Sequence, residues 1–535
     1  MARRKRATTV SGGPPLSALP NTTRSPRVRT ALILVATLLA AAAGAWLVST
    51  LLIGRAVAAR LPRLPNPVTA PRLAAEAMAA ADTAARRWPS AGATAELAMT
   101  YHASLSSSEA IKAYALAASR DPSDWRWPYY RGLLLEERGD QVGAQEAFST
   151  VILLAPAHGL ARFHLGEIAF KAGRLADAEA AYLVAQAATL TDAPAATDHL
   201  PPRRGIPLSA YASLGLARVQ LDRGDRQGGS ERLAAIVRAH PDFGTAHALL
   251  RRLGKGEADA TLDDGRAYVP PSDPWLDTIV ARSWHSDLLL KHAAIAGRTG
   301  ATARREWLVR RALSASPQGL DVLLEAAATE RAANRLSEAM DFLRQAEAVA
   351  PDDHHTLVEQ GRTLSEMGRL AEAEAVLRRA IRVRDATAEY NLANVLDRMD
   401  RWDEAREHYD RAIAINPYHA RAMNNLGIGF SRRGDPLRAL PLYRRAIEVA
   451  PNVVDSYTNL SAALGALGRF PGALEATDAA IRLDPAAADA HSNRGIALAQ
   501  LGRRDEARAA FETAVRLVPT HTDARRNLAA INRPY

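Results

Sequence analysis

Asn391, Asn425, Asn459, Asn493 and Asn527 stand 34 residues apart, and Pro417, Pro451, Pro485 and Pro519 keep the same step beside them. A fixed period of this length signals a stack of helical hairpins. One hairpin cannot bury its own apolar face, so stability comes from neighbour packing on neighbour and the product is an extended surface rather than an enclosed cleft. At 535 residues the chain is longer than one compact core usually holds, and the period decides for a solenoid over several globular domains. Aromatic content is 5% against 48% apolar, the excess being largely alanine, which suits closely packed helices. The sequence predicts an all-α protein.

The formal charge of +10 resembles a nucleic-acid signal until it is mapped. Residues 1–72 hold 11 basic residues and no acid; setting those aside from 68 leaves 57 basic against 58 acidic residues, a net charge of −1 for the rest. A duplex-binding surface needs a clustered basic face, so no nucleic-acid partner is expected. The absence of cysteine excludes disulfides, thiolate zinc sites and a thiol nucleophile.

Residues 31–53, ALILVATLLAAAAGAWLVSTLLI, carry no charge. As a helix they would reach about 34 Å, the thickness of a bilayer core. Seven Arg or Lys precede them without an acid, so the positive-inside bias predicts a cytoplasmic N-terminus and repeats on the far side of the inner membrane. A cleavable signal peptide ending at Ala56-Val57-Ala58 is the competing expectation; its apolar region would be only about 7–15 residues, and an uncleaved single-pass anchor is favoured. The expected divisions are a disordered basic tail (1–30), a transmembrane helix (31–53), a Pro-rich spacer (54–70), a first repeat block (71–254), an irregular interruption (255–283) and a second block (284–535) closed by a half-repeat from Asp523 to Ile531.

The best copy of the unit, residues 420–453, has Leu426, Gly427 and Phe430, then Ala439, Tyr443, Ala446 and Pro451. Residues 488–521 give Gly495, Leu498, Ala507, Phe511, Ala514 and Pro519, and residues 386–419 give Leu392, Ala405, Tyr409, Ala412 and Pro417. On these residues the chain resembles the tetratricopeptide repeat family, in its membrane-anchored bacterial form. That resemblance implies a right-handed α-solenoid of about eleven units. Small residues at Gly427, Ala439 and Ala446 let two helices approach, and Phe430 and Tyr443 fill the space between units. Each proline forces a turn into the next hairpin.

The period breaks at 191–206 and at 255–283, where Tyr268, Pro270, Pro271, Pro274 and Trp275 suggest an extended strap over neighbouring helices. A shortening by two residues falls between Ile381 and Asn391, with Asp385 where the closing proline belongs.

The resemblance also implies that first helices line a concave groove, so the asparagines form a row along it. An amide offers two donors and an acceptor, and such a row either holds an extended peptide backbone or bonds neighbouring units; both roles stand open from sequence. Asn394, Arg421 and Asn424, with Tyr390, fall near the same wall by helical spacing. Tyr390 and Thr458 occupy places where some family members use lysines to clamp a terminal carboxylate, so internal or extended segments are the expected ligands. No HExxH, phosphate loop or GxSxG occurs, and the one histidine pair, His354-His355, points to two sides of a helix. No catalysis, cofactor or metal is expected. The sequence points to a membrane-anchored scaffold for protein segments, with an accessory, non-catalytic subunit of a membrane or envelope enzyme complex as the alternative.

Overall fold

The computed structural model describes residues 26–65, 71–188, 200–201, 205–241, 243–254 and 269–532. Among the described residues there are 27 helices and no strand: α1 (Pro26–Arg60), α2 (Arg72–Arg87), α3 (Ala91–Ala103), α4 (Ser107–Arg120), α5 (Arg126–Glu137), α6 (Gln141–Leu154), α7 (Gly159–Lys171), α8 (Leu175–Ala187), α9 (Leu208–Asp222), α10 (Arg226–Ala239), α11 (Gly244–Gly254), α12 (Pro274–Arg282), α13 (Ser286–Arg298), α14 (Thr302–Ala315), α15 (Leu320–Ala332), α16 (Leu336–Val349), α17 (His354–Glu366), α18 (Leu370–Ala380), α19 (Ala386–Arg398), α20 (Trp402–Ile415), α21 (Ala420–Arg432), α22 (Pro436–Val449), α23 (Val454–Ala466), α24 (Phe470–Leu483), α25 (Ala488–Gln500), α26 (Arg504–Leu517) and α27 (Thr522–Ile531). The chain divides into two compact units, one of Met1–Asn66, Glu76–His102 and Ser106–Ala181, the other of Pro67–Ala75, Ala103–Leu105 and Tyr182–Tyr535.

In the first unit, α1 begins inside the expected tail and runs on past the expected span. The tail up to residue 25 lies outside the described residues. Among the described residues no helix is long and apolar enough to cross a membrane, so the expected transmembrane helix is not found there; the side chains of 31–38, 46–47 and 50–51 are not among those described. The expected spacer also differs. Residues 54–60 hold no proline and continue α1, with Val57 and Leu61 buried. Arg86 of α2 donates to the carbonyls of Ala58 (3.2 Å) and Pro62 (2.9 Å), satisfying acceptors at the end of α1 where a cation is favoured. Residues 66–70 lie outside the described residues. Further on, Tyr114 stacks on Tyr130 (centroids 5.5 Å) and Phe148 on His164 (4.8 Å) in an aromatic core.

The second unit carries the clearest repeats. First helices α13, α15 and α17 start 34 residues apart, as do α19, α21, α23, α25 and α27, whereas α17 and α19 are separated by 32. The two residues are lost from the end of α18, which has 11 residues where α16 and α20 have 14. Asp385 then caps α19, its carboxylate accepting from the Ala388 N–H at 2.8 Å.

The small-residue logic holds in atomic terms. A Cβ on Gly427 would lie 2.7 Å from the Tyr443 ring, and one on Gly495 would lie 2.6 Å from Phe511. Each of these glycines admits a fully buried aromatic from its own second helix, and such an aromatic stabilises by roughly 1.5–3 kcal/mol through removal from water. At the hairpin turn Gly434 has φ +79°, and in two units that lack glycine there Asn334 and Asp400 take φ +60° and +59°; glycine, asparagine and aspartate tolerate that left-handed region best.

Both breaks are built into the core of this unit. Residues 269–283 contain α12 instead of an extended strap, with Trp275, Ile279 and Val280 buried. The helix forms because Asp273 accepts from the N–H groups of Trp275 (3.0 Å) and Leu276 (3.1 Å), and Pro274 sits at the first turn, where its missing donor costs nothing. Leu200, from the first break, packs with Val280, Leu289, Leu308 and Val309. Buried Arg304 then holds the Asp277 carboxylate and the Pro201 carbonyl (3.1 Å) together. Residues 189–199, 202–204 and 255–268, the remainder of the two breaks, lie outside the described residues.

Candidate binding groove

From α13 to α27 each first helix touches the next first helix, while second helices make no comparable contact with one another. A stack drawn closer along its first helices curves toward them, which puts these helices on the concave wall. Counted from the first residue of each such helix, the asparagine row is the sixth position throughout: Asn391, Asn425, Asn459, Asn493 and Asn527.

Three of these rungs are tied to the preceding unit. Asn425 donates Nδ2–H to Asn394 Oδ1 (2.8 Å) and to the Tyr390 hydroxyl (3.2 Å). Asn459 donates to Asn424 Oδ1 at 3.1 Å. Asn493 donates to the Thr458 carbonyl (3.2 Å) and to Ser461 Oγ (3.1 Å). All five row members are half-buried. Asn391 and Asn527 make no side-chain hydrogen bond among the described residues; Val358 and Arg362 stand before Asn391, and Ser492 and Ile496 before Asn527, where Tyr390 and Asn394 stand before Asn425.

The structure brings Tyr390, Asn394, Arg421 and Asn425 into one cluster. Tyr409, buried, donates to Asn394 Oδ1 at 2.7 Å; burial pushes its phenol well above the ordinary value, and the nearby Asp397 charge adds to this. Exposed Arg421 lies over the Tyr390 ring at 5.4 Å. His419 packs against the same ring, 4.9 Å between centroids. Its Nδ1 accepts from the Ala422 N–H (3.1 Å) and caps α21. Burial, helped by Arg421, lowers the His419 pKa, which keeps the accepting nitrogen unprotonated.

Sequence spacing alone missed the continuation of the row. The sixth residues of α15 and α17 are Glu325 and Glu359, which the 32-residue step displaces from the 34-residue count. Here the ties are ionic: Arg305 bonds Glu325 (2.8 Å), and Arg331 bonds both Glu359 (3.0 Å) and Glu366 (3.2 Å). His354, the expected non-ligand, closes the short unit against Asp385 at 3.3 Å. Among the described residues no group of three or more His, Asp or Glu is disposed to hold a metal ion.

Models of the tetratricopeptide repeat match residues 384–452, residues 143–193, 424–487 and 459–522, and residues 361–389. These segments are tetratricopeptide repeats. No curated protein matches the chain. Among solved structures it is similar to YrrB, a tetratricopeptide repeat protein with an unusual peptide-binding site, at 25% identity over 34% of this chain and 96% of that one, with a TM-score of 0.31. The APC/C hetero-tetramer Cut9-Hcn1 aligns over 82% of this chain and 95% of that one at 12% identity and a TM-score of 0.42. PilW, a type IV pilus biogenesis factor, aligns over 38% of this chain and 96% of that one at 18% identity and a TM-score of 0.35.

Across the tetratricopeptide wall the ninth position runs Asn394, Ile428, Ala462 and Ile496, with Ala462 and Ile496 exposed. Beyond Asn425 the wall is thus a strip of amides beside a strip of small and branched apolar side chains. The second position carries Arg421 and then Asp455, Asp489 and Asp523, all exposed. Basic character on α21 gives way to acidic character toward α27.

Proposed function

We propose that this chain is a protein-interaction scaffold, non-catalytic, whose groove from α19 to α27 holds an extended segment of a protein partner. The observation that carries this reading is the use made of the amides. Asn425, Asn459 and Asn493 spend donors on the preceding unit, so their side chains are held in fixed positions while their Oδ1 atoms accept nothing within the described chain. A row of fixed acceptors at a regular step suits the N–H groups of an extended backbone, and pre-fixed side chains lose little entropy on binding. Asn391 and Asn527 keep both donors and the acceptor for the ligand. Ile428, Ala462 and Ile496 offer apolar contact beside the amides, while Arg421 and the three aspartates favour a segment with its basic end toward α27.

The same reading includes an anchor at residues 31–53 in the inner membrane, N-terminus cytoplasmic and repeats outside. Its support is the uncharged 23-residue run behind seven basic residues, together with the exposure of Leu39, Val48, Leu52 and Ile53 on α1. Resistance to carbonate extraction with the repeats open to external protease is expected; release by carbonate removes this part of the proposal and leaves the groove untouched.

For the groove, the test is in-cell photocrosslinking from position 462 on the concave wall, with position 437 on α22, where Leu437 is exposed, as the control. A protein crosslinked from 462 and lost in an Ile428→Trp, Ile496→Trp variant supports the proposal. Crosslinks from 437 alone reject it.

A further inference from the structure

Three buried N–H donors without a hydrogen-bond partner fall close together in the sequence of the first unit: Arg120 Nε, Trp127 Nε1 and Arg131 Nε. The Trp127 side chain is only 7% exposed. The local fold gathers these groups. α4 ends at Arg120, a short turn follows, and α5 begins at Arg126 and packs back along α4, so the last turn of α4 lies beside the first turn of α5. Trp127 and Arg131 are four residues apart on α5 and share one of its faces. A buried N–H left without an acceptor is costly, and three at one helix junction call for an acceptor that the described residues do not supply. The acids of the turn are engaged elsewhere: Asp121 accepts from Ser123 Oγ (2.7 Å) and Asp124 holds Arg126 (2.9 Å).

Other repeats show what is missing. Arg131 precedes Gly132, which admits Phe148 as Gly495 admits Phe511. The residue before Gly495 is Arg494, and its Nε donates to Asp478 Oδ1 at 2.8 Å. The residue before Gly361, the glycine that admits Leu377, is Gln360, which donates to Glu347 at 2.9 Å. Both acids stand on the preceding second helix, 16 and 13 residues earlier. The same steps back from Arg131 reach Ala115 and Ala118 on α4. Arg131 is thus at a position that faces the preceding second helix, and α4 offers it two methyl groups where its counterparts find a carboxylate. Ala115 is exposed and Arg131 half-buried, so the space an acidic side chain would fill opens to solvent. Neither Arg120 nor Arg131 forms an ion pair among the described residues.

We propose that the α4–α5 junction binds a carboxylate supplied from outside the chain, received by Arg131 and the Trp127 indole N–H, with Arg120 adding a second cation. The carboxylate belongs either to a free small acid or to an acidic side chain of a protein segment, and the test separates the two. No residue of the α19–α27 groove takes part, so failure here would leave the groove reading standing.

The full-length chain, carrying isotope-labelled tryptophan, is titrated with glutarate, with acetyl-tetraglutamate amide and with acetyl-tetraglutamine amide while the indole N–H resonances are followed. Trp127→Phe assigns the Trp127 signal among those of the 8 tryptophans. That signal should move downfield and saturate with a carboxylate probe and stay in place with tetraglutamine. Saturation at lower concentration by glutarate identifies a free acid as the ligand, and by the glutamate peptide a protein segment; both support the site. Arg131→Gln, which places the residue type of Gln360 at this position, should weaken the carboxylate probe at least about tenfold, the scale of one charge-assisted hydrogen bond. Ala115→Asp restores an internal carboxylate at an exposed position and should weaken the probe as well, with the other indole signals unmoved as the check on folding. A Trp127 signal unmoved by both carboxylate probes, moved equally by tetraglutamine, or titrating unchanged in Arg131→Gln would each overturn the proposal.

Discussion

The α15–α17 stretch and the α19–α27 stretch use the same position of the same helix to tie one hairpin to the next, and they do it with different chemistry. In the first, Glu325 and Glu359 are each held by an arginine. In the second, Asn425, Asn459 and Asn493 are held by neutral hydrogen bonds. The carboxylates are spent on cations of the protein itself. The amides leave an acceptor unused among the described residues, which is what the proposed binding role requires of them.

The largest expected effect removes what anchors the amide stretch from beneath. Tyr409→Ala should cost about 3–5 kcal/mol, since it empties a buried aromatic site and removes one of the two donors to Asn394 Oδ1, whereas Tyr409→Phe should cost about 1 kcal/mol. Urea denaturation followed by circular dichroism reads both; equal effects would mean the hydroxyl, not the ring, carries the junction. Next, the rungs should be unequal. Asn425→Ala, with two donors engaged, should lose about 1–2 kcal/mol, and Asn391→Ala close to none. Equal losses would show that the row has one common role.

A double-mutant cycle between Arg331 and Glu359 should give about 0.5–1 kcal/mol at low salt for this partly exposed pair and shrink in 0.5 M NaCl. The Asn394–Asn425 cycle should not respond to salt, and a response there would erase the contrast. The smallest effect concerns pH. His419 has a folded pKa below its unfolded value, so the unfolded chain binds the extra proton first. The stability His419 contributes is therefore present above the unfolded pKa near 6.5 and is lost as pH falls through the folded value. His419→Asn keeps a cap without the titration and should flatten stability between pH 7.5 and 5; an unchanged slope would assign the acid sensitivity to another group.

The hairpin stack was legible because its period is carried by residues with no alternative. Gly427 and Gly495 are pinned by Tyr443 and Phe511, and the prolines by the turns they force. The groove was legible only in part. The row at Asn391 to Asn527 is visible at a fixed step, but which rungs are tied depends on what the preceding helix offers, and Ser461 or Asn394 acquires that meaning only in three dimensions. Glu325 and Glu359 were hidden by the two residues missing from α18. Counting from helix starts instead of by 34 recovers them. The helix at 274–282 was hidden by the prolines around it, although Asp273-Pro274 is itself a helix-start signal.

The most direct test measures stability and partner binding together on two variants of the full chain, Asn391→Ala with Asn527→Ala, and Asn425→Ala with Asn459→Ala, using the partner crosslinked from position 462. The account predicts that the first variant keeps wild-type stability and loses binding, since those two amides bond nothing among the described residues, while the second loses both. Wild-type binding by the first variant would contradict it and leave the asparagine row a device for holding hairpins together.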